Sequence, residues 1–105
     1  MGVLVLCALT TTGCLSASVR DWIAGNYEKR PSEDGVDIYH ATEAPTAVAK
    51  RISDARKPAD RRVTASGVFL RYRNDMVGIV ADPAGGSRIL VTDEKRGYTY
   101  FYPYV

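Results

Sequence analysis

With 105 residues, 46% of them hydrophobic and 25% charged, the chain has room for one small domain with a modest core and not for two. A formal net charge of +2 is too small to argue by itself for nucleic acid, whose binders concentrate basic residues on one face. One histidine, His40, and two cysteines, Cys7 and Cys14, exclude most metal and nucleophile constellations, and no cofactor or metal is expected.

Residues Val3 to Leu9 form an apolar run too short to span a bilayer as a helix. Thr10-Thr11-Thr12-Gly13-Cys14 follows, and an apolar run ending in small residues reads as a secretory signal. Small-small-Cys at its end looks like a lipobox, although Thr11 stands where lipoprotein signals usually carry Leu. On this reading residues 1–13 are removed, Cys14 is lipidated and becomes the N-terminus, and residues 14–18 are a short tether. The alternatives are a plain signal peptide or an apolar N-terminal segment that packs on the domain. Cys7 leaves with the signal, so no disulfide is expected in the domain that begins at Val19.

Ser16 or Ser18 is placed to cap a first helix. Val19, Trp22, Ile23 and Tyr27 recur at helical spacing, and Asp21 suits the positive end of the dipole. A lone Trp at this spacing reads first as core. Glu28 to Gly35, with Pro31, reads as a polar loop, and Val36 to His40 as a short strand. His40 reads as a hydrogen-bonded residue at the end of that strand rather than a ligand. Pro45 suits the first position of a second helix. There Val48, Ile52 and Ala55 make one apolar stripe and Pro58 ends the run. The basic end of that helix continues through Arg61-Arg62, the densest positive cluster in the chain. It reads as a solvated face or as a contact for an anionic surface.

Gly67 to Val80 reads as a hairpin turning at Asn74-Asp75. A two-residue loop sets Tyr72 opposite Val77, Leu70 opposite Ile79 and Val68 opposite Ala81. These apolar residues then share one face, while Arg71 and Arg73 point the other way alongside Phe69 and Val80. Asp82 to Ser87 is a loop and not a phosphate cradle, because it leads into a strand and lacks a following Lys. Arg88 to Thr92 is the next strand, with Val80 expected opposite Ile89. That register makes both faces of the sheet partly apolar and requires a cover for the second face. Asp93 to Gly97 is a turn, and Tyr98 to Tyr102 a last strand with Tyr98, Tyr100 and Tyr102 in one row.

These residues together resemble a known family. Asp21-Trp22-Ile23, Val48-Ala49 through Ile52, Phe69-Leu70-Arg71-Tyr72-Arg73-Asn74-Asp75, Gly86-Ser87-Arg88-Ile89 and Arg96-Gly97-Tyr98 are similar to an uncharacterised family of small bacterial lipoproteins, domain of unknown function 4247. The resemblance runs over nearly all of Val19 to Val105, and Phe-Leu-Arg-Tyr-Arg-Asn-Asp is its most specific piece. It implies a lipoprotein signal, in keeping with Cys14. It carries over no catalytic residue, because the family has no established activity. A Gly-rich tail that its members often carry is not present here.

The expected fold is α+β: two short helices packed on an antiparallel meander of three to five strands. The expected function is a non-enzymatic binding or accessory module, lipid-anchored at the outer face of the cytoplasmic membrane. Candidate contacts are Arg71, Arg73, Arg88, Tyr98, Tyr100 and Tyr102, toward another envelope protein or an anionic wall polymer. The alternative is a small enzyme, or an assembly factor for one, using the loop carboxylates Asp75, Asp82 and Asp93. Acid–base work by such groups needs their pKa values pushed apart, whereas Asp is common in turns for backbone reasons. Nucleic acid is not expected as a partner.

Overall fold

A computed structural model describes residues 18–101. The elements are α1 (Val19–Asn26), β1 (Glu28–Glu33), β2 (Val36–Ala41), α2 (Pro45–Ala55), β3 (Asp60–Thr64), β4 (Gly67–Arg71), β5 (Asp75–Ala81), β6 (Ser87–Asp93) and α3 (Glu94–Tyr100). The six strands form one antiparallel sheet in the order β1-β2-β6-β5-β4-β3. The fold class is therefore α+β as expected, with a third helix and a wider sheet. Cys7, Cys14, Tyr102 and the proposed signal and tether up to Ala17 lie outside the described residues.

The two amphipathic helices form where their stripes predict. Ser18 caps α1 by accepting from the Asp21 N–H at 3.2 Å, and Val19 and Ile23 are buried. Pro45 opens α2, which buries Val48, Ala49 and Ile52. Both helices cover one face of the sheet, over Tyr39, Ala41, Val68, Leu70, Val77, Ile79, Ile89 and Val91.

The central hairpin has the expected faces in a different register. Leu70 lies opposite Val77 and Val68 opposite Ile79, two residues from the expected pairing. A shift of two preserves which side chains share a face, so the buried set is as expected. The turn falls one residue earlier, at Arg73-Asn74, because the Tyr72 N–H donates to the Asp75 carbonyl at 2.8 Å.

The β5–β6 register differs by a single residue, with Val80 opposite Arg88 and Ile79 opposite Ile89. A shift of one exchanges the faces of a strand. Ile89 and Val91 therefore join the face beneath α1 and α2, and Leu90 joins the other. The second face is nevertheless apolar at its centre, where Val36, Ile38, Phe69, Met76, Leu90 and Phe101 make a second buried cluster.

The expected last strand is a helix. β6 already has β2 on one side and β5 on the other, so the segment after it has no free edge to pair with. It turns instead at Asp93, whose side chain accepts from the Arg96 N–H at 2.6 Å as an N-cap. The resulting α3 lies over the second face, and Phe101 at its end packs on Phe69 with ring centroids 5.3 Å apart. Gly78 makes room for this contact, since a Cβ there would meet both rings at 3.0 and 3.1 Å.

Two edge strands, β1 and β3, form where the sequence reads as loop and basic helix end. They pair only outward from β2 and β4 and are almost wholly exposed. Pro31, a register irregularity between Arg30 and Glu33, and the charges of Arg61 and Arg62 suit unpaired edges.

Candidate functional site

The second face of the sheet carries a cleft of about 510 Å³ beside α3, lined by Asp60, Arg62, Phe69, Arg71, Met76, Gly97, Tyr98 and Phe101. Its position follows from the ladder. Asp60 lies opposite Arg71 and Arg62 opposite Phe69, while Arg71 lies opposite Met76. Period-two alternation puts all five on the face away from α1 and α2. The apolar floor is Phe69, Met76 and Phe101, which are 4%, 8% and 2% exposed. Tyr98 stands at the rim and is 58% exposed.

Neither Arg62 nor Arg71 has a carboxylate partner among the described residues. Asp60 shares the cleft, and its carboxylate accepts from the Arg61 N–H at 2.9 Å. Two forked guanidinium groups above an aromatic and thioether floor suit a ligand with an anionic head and apolar carbon.

The structure gathers part of the expected contact set. Arg71 and Tyr98 meet in the cleft, joined by Arg62 from the basic run that the sequence reads as a solvated face or as a contact for an anionic surface. Arg73 is exposed in the turn that follows β4. Arg88 lies on the same face but at the other end, 3.9 Å from Glu33. It lines a separate depression with Arg30, Ile38 and Asp82. The tyrosine row does not form, because on a helix residues 98 and 100 do not face the same way. Tyr100 instead packs edge-on against Phe101, 5.5 Å between centroids. Phe69, Met76, Gly97 and Phe101 were not anticipated as site residues. Asp93 followed by Glu94 is the helix-start signal that could have placed them.

The three loop carboxylates are each engaged. Asp75 accepts from Arg20 at 3.0 Å, and Asp93, its cross-strand partner, caps α3. Asp82 accepts from the Ala84 N–H at 2.9 Å and lies 3.0 Å from His40 Nδ1. The Ala84 N–H lowers the Asp82 pKa most, against partial desolvation, with His40 adding to the lowering. His40 is thus hydrogen-bonded at a strand end, as the sequence suggests. No group of three or more His, Cys, Asp or Glu placed to hold a metal ion occurs among the described residues. No helix among them is long and apolar enough to cross a membrane.

A family model described as a domain of unknown function (DUF4247) matches residues 3–100. No curated protein and no solved structure matches the chain.

Proposed function

The chain belongs to the DUF4247 family, and we propose that it is a membrane-anchored, non-enzymatic module that binds an anionic partner on the α3 side of its sheet. One observation carries this reading: Arg62 and Arg71 stand without carboxylate partners over an apolar floor, with Tyr98 exposed at the rim. Two unpaired guanidinium groups beside buried aromatic surface are what a bound anion would neutralise. The anchor is Cys14, supported by the apolar run and the small residues that precede it.

The anchor is tested by the intact mass of the protein from its native membrane fraction, beside a Cys14→Ala variant. A lipid-sized mass increase that vanishes in the variant is the expected result. An unmodified full-length mass would remove the anchor from this reading.

A further inference from the structure

We propose that the ligand of this cleft is the phosphodiester headgroup of an anionic phospholipid, taken from the membrane that holds Cys14. This deepens the reading above and rests on it. The first argument is placement. In the first turn of α1, Arg20 donates to Asp75 at 3.0 Å and to Asp37 at 3.1 Å. Asp75 opens β5, and the next residue, Met76, turns to the opposite face and lines the cleft with its partner Arg71. The start of α1 and the cleft therefore share one end of the sheet. Residues 15–18 between Cys14 and α1 reach at most about 14 Å when extended, which holds that end near the bilayer surface.

Charge is the second argument. The C-terminal end of α2 is tied to the same end of the sheet, because the Tyr72 hydroxyl donates to the Arg56 carbonyl at 2.6 Å. The Ala59 N–H donates to the Arg71 carbonyl at 2.8 Å. Lys57, Arg62, Arg71 and Arg73 are thereby collected where an anionic leaflet would attract them. The acidic groups at this end are Asp21 in the first turn of α1, Asp34 in the β1–β2 turn, whose carbonyl accepts from Arg96, and Asp37 and Asp75, both bound by Arg20; Asp93 caps α3, Glu94 lies in its first turn, and Asp60 lines the cleft.

Chemistry is the third. The guanidinium forks of Arg62 and Arg71 match phosphodiester oxygens. Phe69, Met76 and Phe101 offer the glycerol and first acyl carbons an apolar floor, and Asp60 can accept from a headgroup hydroxyl. Tyr98, with an apolar ring and a polar tip, suits the headgroup level.

The test uses full-length Cys14→Ala protein, so that no covalent lipid holds it to a membrane. Sedimentation compares vesicles of phosphatidylcholine alone with vesicles that also contain phosphatidylglycerol. Every variant carries the same leader, which has no Asp, Glu, Lys or Arg, so its contribution cancels when variants are compared. We expect tighter binding to the phosphatidylglycerol vesicles. Arg62→Lys combined with Arg71→Lys keeps the charge and loses the forks, and should weaken the preference on the order of fivefold. Arg73→Lys, outside the cleft, should leave it within about twofold. Urea midpoints of the variants check that the fold is intact. Equal binding to both vesicles, or a preference unchanged by the double lysine variant, overturns the proposal. Equal or tighter binding of soluble polyglycerol phosphate, with displacement from the vesicles, would reassign the cleft to a wall polymer. Each of these outcomes is read independently of the Cys14 mass measurement, so failure of the headgroup site and failure of the anchor are distinguishable.

Discussion

Gly97 of α3 lies so close to Met76 of β5 that a Cβ on Gly97 would sit 2.6 Å from the Met76 sulfur and 2.8 Å from its Cβ. The Met76 side chain can bend its sulfur away, but its Cβ is fixed by the strand. Gly97→Ala should therefore lift α3 from the second face and cost about 1–3 kcal/mol as an overpacked contact. The better helix propensity of Ala offsets up to about 1 kcal/mol of that. Urea unfolding measures the balance, and a variant as stable as the wild type would show that α3 is not held this closely.

Arg20 links α1 to two strands through Asp37 and Asp75, with the Asp75 side chain 17% exposed. Arg20→Met keeps the stem of the side chain and leaves Asp75 unpaired, while Asp37 keeps Ser32 at 3.0 Å and Lys29 at 4.0 Å. The expected cost is about 1–2 kcal/mol, smaller in high salt, where exposed pairs are screened. Trp22, on the same helix and partly buried against the core, reports the loosening as a red shift in fluorescence.

Burial pushes the Tyr72 pKa up from 10.0 to about 12. A raised folded-state pKa means that the stabilisation is complete below pH 10.0 and is lost as pH rises through about 12. Tyr72→Phe removes the hydrogen bond to the Arg56 carbonyl and should cost about 1 kcal/mol at neutral pH. Urea midpoints of the two proteins should converge as pH climbs above 10.0, because only the wild type has this hydroxyl to ionise on unfolding. A cost independent of pH would contradict the assignment.

Asp82 titrates below its ordinary value of 3.8, through the Ala84 N–H first and His40 after it. A lowered folded-state pKa stabilises the fold above the ordinary value, and the gain is lost as pH falls through the lowered one. Asp82→Asn should accordingly lower the melting temperature at pH 7. The difference should close once the medium is acidic enough to protonate the wild-type carboxylate. Melting curves across acid pH decide the point.

Several parts of the structure were legible residue by residue. The stripes Val19–Ile23 and Val48–Ile52 and the alternation through Val68, Leu70, Val77 and Ile79 are local patterns. They state which side chains leave water whatever the exact register, because a shift of two residues changes no face. Ser18 and Pro45 mark helix starts by chemistry that acts within one turn.

What only the tertiary structure decided involves partners distant in the chain. Asp60–Thr64 and Glu28–Glu33 have no apolar face of their own, and they are strands because β4 and β2 leave backbone groups that must be paired. Tyr98–Phe101 has the β-propensity of a strand, yet it is helical because both sides of β6 are occupied and an apolar second face needs a cover. That outcome dissolved the tyrosine row and drew Arg62, Arg71 and Tyr98 around one cleft while leaving Arg88 with Glu33. Local sequence dictates the faces, since burial depends on periodicity. The tertiary structure dictates the site, since pairing order and cover depend on which edges and faces the rest of the chain leaves open.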